Sequence, residues 1–149
     1  MPWNTLATTD VTDQMTQGEV SALENIQGAS TQLQAILTRV TNQAISQILA
    51  GGNPIGPTGT IPDSVAQDII AITRWRWLSS FPALRAFKTE DREKENDSAQ
   101  KHLSSIAAGK ERTEIPANAQ TIQAPVNAVG VVRPGVRFRP GGFDKIGST

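Results

Sequence analysis

The sequence predicts an all-α protein, a small bundle of about four helices carrying a long extended C-terminal arm. Three observations point there. Apolar residues recur at steps of three, four or seven from Leu23 to Ile48 and again from Val65 to Trp77. Helix-opening and helix-closing residues bracket those stretches. After Pro116, prolines and glycines recur so closely that no helix survives. Residues 1–110 are therefore read as a helical core and 111–149 as a partner-docking arm.

The first element is a short helical turn near Thr9 to Met15. Thr8 or Thr9 can cap it, and Asp10 sits at its positive end. Thr16-Gln17-Gly18-Glu19 spells a capping box, a hydroxyl for the N3 amide and a carboxylate that reaches back. Leu23, Ile26, Leu33, Leu37, Val40, Ala44 and Ile48 then mark one helical face. Gly28 makes this either one helix with a soft point or two helices. Gly51-Gly52 ends it. The opposite face is Gln, Thr, Asn and Ser with little charge, which suits either solvent or another protein surface.

The stretch GGNPIGPTGTI from Gly51 to Ile61 holds no helix or central strand. A phosphate-cradling loop needs a Lys after its last Gly and a row of free backbone amides. Here Thr60 follows Gly59, and Pro54 and Pro57 remove two donors. The reading is a rigid connector, or a loop that reaches a neighbour.

Pro62 and Asp63 open the next helix. Val65, Ile69, Ile72 and, one turn on, Arg76 form one row, Ala66, Ile70 and Trp77 a second, and Trp75 extends the arc from Ile72. So wide an apolar arc predicts the central helix, packed on more than one side. Pro82 stops it, and Phe81, Leu84 and Phe87 fill the turn that follows. Thr89 caps a last helix, whose run KTEDREKENDSAQK pairs Glu90 with Lys94 and Asp97 with Lys101 at i,i+4. Ala99, Leu103, Ile106 and Ala107 supply its narrow apolar stripe, and Gly109 closes it. Ile69, Ile72, Trp75, Trp77, Leu103 and Ile106 are the expected core or interface side chains.

Beyond Pro116 the chain holds Val129, Val131, Val132, Val136, Phe138 and Phe143 with no acidic residue between Ile115 and Gly142. Val136 and Phe138 alternate with Arg137 and Arg139, one apolar and one cationic face. Such a segment is too poor in large apolar groups to build its own core. Its anchors and arginines read as a strand or strap that orders on a partner.

Length and charge set the outer limits. A chain of 149 residues is about one domain. The formal net charge is zero, yet residues 1–109 carry 8 basic and 11 acidic side chains and residues 110–149 carry 6 and 3. The protein is thus no uniformly basic nucleic-acid binder, but one end is basic. Cysteine is absent, which removes disulfides, thiolate metal sites and cysteine nucleophiles. One histidine excludes a histidine-rich metal site within one chain. MPWNTLATTD has no basic run before an apolar stretch, so it does not read as a signal peptide. The most apolar stretch, Val65 to Leu78, contains Gln67, Asp68, Arg74 and Arg76 and is too polar to span a bilayer. The expectation is a soluble intracellular protein.

No enzymatic constellation stands out. His102 is the sole imidazole base, and Ser98, Ser104 and Ser105 near it are ordinary in a serine-rich chain. The carboxylates of 90–97 spread around their helix instead of converging. No EF-hand or HExxH spelling occurs. Arg74-Trp75-Arg76-Trp77 suggests base stacking or membrane contact, but helical neighbours lie about 100° apart, so the two Trp do not share a face. The simpler reading is core or interface tryptophans between snorkelling arginines. No catalytic residue, metal or cofactor is expected.

The order of these features resembles the head–tail connector (adaptor or head-completion) proteins of tailed bacteriophages, and most of all the Mu-like connector family. There a proline-opened helix of the form "P..l..…DiA.y.Lw" precedes one ending "wL..ia.Gk". Pro62, Asp68, Ile69, Ala71, Trp77, Leu103, Ile106, Ala107, Gly109 and Lys110 match. His102 stands where the family has an aromatic, and Trp replaces a central-helix Tyr. The resemblance implies a homo-oligomeric, dodecameric ring beneath the portal protein, in the virion neck, assembled in the host cytoplasm. The ring would extend the channel for genomic double-stranded DNA without sequence-specific binding, and its far face would receive a stopper or a tail-tube or terminator protein. The arm would dock on the portal through Val129, Val131, Val136, Phe138 and Phe143, with Arg133, Arg137 and Arg139 pairing with portal carboxylates. Two other readings stay open. One is a DNA- or RNA-binding packaging factor that uses the basic tail. The other is a neighbouring neck protein, a stopper or tail terminator, of a kind usually rich in strands.

Overall fold

The computed structural model describes residues 3–119. Within them the protein is all-α: α1 (Thr8–Thr12), α2 (Gln17–Asn25), α3 (Ala29–Ala50), α4 (Asp63–Ser80), a 3-10 turn (Pro82–Phe87) and α5 (Glu90–Ala107). The arm residues Val129, Val131, Arg133, Val136, Arg137, Phe138, Arg139 and Phe143 lie outside the described residues.

The bundle forms around α4, which packs on α3 and α5 while those two also touch. Its wide apolar arc is the cause. Val65, Ile69, Ile70, Ile72, Trp77 and Leu78 are all buried, so no single neighbour covers them. Leu33, Ile36, Leu37, Val40, Ala44 and Ile48 meet them from α3, and Ala99, Leu103 and Ile106 from α5. The Trp77 indole N–H would be stranded in this core, and it donates to the Ala29 carbonyl at 3.1 Å. No described helix is long and apolar enough to cross a membrane.

The helix ends follow their local chemistry. Thr16 caps α2 and Glu19 reaches back to the Thr16 N–H at 2.6 Å, completing the capping box. Gly28 takes a φ of 79°, and α2 and α3 are two helices. At α1 the cap is Ala7 rather than Thr8 or Thr9. Ala7 offers no side-chain acceptor, and the carboxylate of Asp10 instead takes the Ala7 N–H at 2.7 Å. Thr89 caps α5, and the Glu90–Lys94 ion pair forms at 2.8 Å. The expected Asp97–Lys101 pair is not among the described ion pairs; both side chains are exposed, and water offers them an equivalent partner.

The C-termini of α3 and α5 end alike. Gly52 N–H bonds Leu49 O and Asn53 N–H bonds Ile48 O; Gly109 N–H bonds Ile106 O and Lys110 N–H bonds Ser105 O. The two ends also meet. A Cβ on Gly51 would lie 1.9 Å from the Ile106 carbonyl oxygen, so this crossing admits only glycine. Gly52 has a φ of 81° and open space around it.

These two neighbours give a direct comparison. Gly51→Ala forces backbone apart and is expected to cost about 1–3 kcal/mol or more. Gly52→Ala adds only left-handed strain of about 1 kcal/mol. Urea unfolding of both variants checks the order; an equal or smaller loss for Gly51→Ala contradicts the packing described.

Candidate functional site

Two charged clusters and one returning segment organise the surface around α4. The first cluster centres on Glu19. Its side chain is fully buried, and it is the only buried residue of α2. Arg74 of α4 donates from Nη2 to Oε2 at 3.0 Å and from Nε to Oε1 at 3.4 Å. Arg92 in the first turns of α5 donates to Oε2 at 3.2 Å. The Thr16 N–H and hydroxyl complete the shell. A lone buried carboxylate costs several kcal/mol, so two guanidiniums and a cap hydrogen bond are what permit it. Arg74, expected to snorkel into solvent, is instead committed to this carboxylate, with a side chain only 11% exposed.

The Arg74–Trp77 run therefore splits four ways. Arg74 meets Glu19, Trp75 is half-buried with Lys88 Nζ 4.3 Å from its ring centroid, Arg76 donates to Gln43 Oε1 on α3 at 2.9 Å, and Trp77 enters the core. These directions leave no paired aromatic platform for stacked bases. Of the expected core or interface residues, Ile69, Ile72, Trp77, Leu103 and Ile106 are buried together, while Trp75 remains at the surface edge.

The second cluster is Asp68, His102 and Glu111. His102 Nδ1 faces Asp68 Oδ2, and Nε2 lies 3.0 Å from Glu111 Oε2. Burial raises the Asp68 carboxyl above its ordinary range; hydrogen bonding to His102 and its charge pull the other way, and the Glu111 charge adds to the rise. Both ring nitrogens of the sole imidazole are thus occupied by carboxylates, and neither faces Ser98, which lines the adjoining cleft. That cleft, about 550 Å³ between α4 and α5, holds Asp68, Arg74, Lys94 and Glu95, charges of both signs without a common focus. Among the described residues no group of three or more His, Asp or Glu side chains could hold a metal ion.

The returning segment follows α5. The sequence places the start of the arm at 111, but residues 113–116 run back across the bundle. Thr113 and Pro116 are buried, and the Thr113 N–H donates to the buried Asn53 Oδ1 at 3.4 Å. The Glu114 carboxylate accepts the Ser64 N–H at 3.2 Å and the Ser64 hydroxyl at 2.7 Å. Pro62 is the N-cap of α4 and has no side-chain acceptor, so Glu114 caps that helix from 50 residues further along the chain. Trp3 joins from the N-terminus: its indole N–H donates to the Glu114 carbonyl at 3.0 Å, and Asn4 and Ile61 exchange backbone hydrogen bonds. The Gly/Pro loop is their seat, since a Cβ on Gly56 would touch both the Trp3 ring and Pro116.

Glu19→Gln removes the charge between two part-buried guanidiniums. The expected loss is about 3–5 kcal/mol, read as a lower urea midpoint. A loss below about 1 kcal/mol would mean that the cluster behaves as a solvated surface pair. No family model, curated protein or solved structure matches the chain.

Proposed function

We propose that this chain is a structural, non-enzymatic head–tail adaptor of a bacteriophage neck. Its helical body forms a ring below the portal, and residues 120–149 are the strap that docks on the portal. The observation that carries the reading is the coincidence of motif and architecture. The matched positions Ile69, Trp77, Leu103 and Ile106 sit in one core, and Gly109-Lys110 forms the helix-ending turn at the close of the same motif. Three further points support it. The sole imidazole is flanked by carboxylates, and among the described residues no hydroxyl is hydrogen-bonded to it. The described body is helical apart from one isolated bridge, which weighs against the strand-rich neck proteins. α3 presents Thr38, Asn42, Gln43 and Ser46 to the outside with Arg39 as its single charge, and low charge is what the centre of a contact between subunits requires.

In this mechanism the body supplies rigid placement and the strap supplies affinity. Residues 113–116 are fixed to the bundle, so the strap leaves from a defined point. Val129, Val131, Val136, Phe138 and Phe143 are its apolar anchors and Arg133, Arg137 and Arg139 its cations. One strap can be weak, because copies on one ring bind together. DNA in transit would pass a body whose first 109 residues carry a net negative charge, which avoids tight phosphate binding.

The test is co-sedimentation with portal rings. The full chain is expected to pellet with them, and a chain ending at 119 to stay folded by circular dichroism yet remain in the supernatant. Undiminished binding of the shortened chain contradicts the reading. Salt-dependent binding of duplex DNA, lost in the Arg133/Arg137/Arg139 triple Ala variant, would instead support the packaging-factor reading.

A further inference from the structure

The geometry points to a proton-operated clasp: Asp68, His102 and Glu111 hold the segment after α5 against the bundle while they share two protons, and release Glu111 when only one remains. Each of the two contacts, Asp68 to Nδ1 and Nε2 to Glu111, needs one proton between its heavy atoms. Two ionised carboxylates and a neutral imidazole have only one proton to offer. The second resides on the ring or on Asp68, and either placement satisfies both contacts. Removing it leaves a ring lone pair facing a carboxylate lone pair.

Exposure decides which contact opens. The side chain of Asp68 is 19% exposed and is held on the central helix, whereas Glu111 is 49% exposed on a chain without secondary structure. Glu111 therefore swings into water. The surrounding charges do not substitute for the proton. In the cleft beside Asp68, Arg74 is committed to Glu19 and Lys94 to Glu90, and Glu95 is a further carboxylate. Gln14, facing from the link after α1, is uncharged. α3, the other helix against α5, has Arg39 as its only charge. Lys101, Lys110 and Arg112 beside the cluster are exposed, and no described ion pair joins them to it. Downstream, Glu114 is occupied by Ser64. Closure is expected at lower pH, loosening as the second proton leaves with rising pH. Burial of Asp68, which favours its protonated form, works in the same direction.

The clasp stands independently of the connector reading, and solution NMR on the full chain tests it. The readouts are water exchange of the Thr113 amide and of the Trp3 indole N–H, which report the returning segment. Each is divided by the unprotected exchange rate of the same kind of group at that pH, and the Trp77 indole N–H, bonded in the core, is the control for opening of the whole bundle. As pH rises from acidic to mildly alkaline, the relative protection is expected to fall roughly tenfold, the effect of losing one charge-assisted hydrogen bond. Two variants should hold the segment closed throughout. In Asp68→Asn the amide donates to Nδ1 and frees the ring proton for Glu111; in Glu111→Gln the amide donates to Nε2. Relative protection that stays constant with pH in the wild type overturns the clasp. So does an unchanged step in both variants.

Discussion

A single buried carboxylate decides how the front of this protein is assembled. Elsewhere docking is apolar: α3 and α4 bury several large aliphatic side chains each, and each such burial stabilises by about 1.5–3 kcal/mol. α2 has no such payload. Ala22, Leu23 and Ile26 are only partly covered, and its one buried residue is Glu19. The helix is therefore held by charge, through one guanidinium from α4 and one from α5. This device is directional where an apolar contact is not. It demands that Arg74 and Arg92, on separate helices, converge on one point, and so it fixes the start of α5 against the middle of α4 as well as locating α2.

The opposite end uses different means for the same purpose. Trp3, the Gly/Pro loop and the returning segment interlock, and the Glu114 carboxylate supplies the cap that Pro62 lacks. The stretches on either side of the bundle that carry no helix thereby converge on the N-terminus of α4. Residues 113–116 are thereby held to the bundle by hydrogen bonds.

What was legible beforehand was whatever periodicity and caps encode. The breadth of the apolar arc over Val65–Trp77 marked α4 as central, Thr16 and Thr89 marked helix starts, and Gly109 marked an end. The polar architecture was hidden, for a physical reason. Glu19 already had a sufficient local explanation as the reaching-back member of a capping box, and nothing periodic links it to arginines 55 and 73 residues away. Arg74 lay between Thr73 and Trp75 on a helix with apolar sides, which fits a snorkelling cation as well as a paired one. Glu114 and Trp3 were invisible as partners because their contact joins residues 111 apart in the sequence. Even so, Pro62 at a helix start, with no acceptor of its own, was a sign that a cap had to come from elsewhere.

The claim that convergence of charge fixes the front of the bundle is tested most directly by double-mutant cycles in urea, pairing Glu19→Gln with Arg74→Met and with Arg92→Met. The account expects each pair to be non-additive by more than about 1 kcal/mol, with the second substitution costing much less once the first is made. Energies that add within about 0.5 kcal/mol for both pairs would show three independent side chains and contradict it.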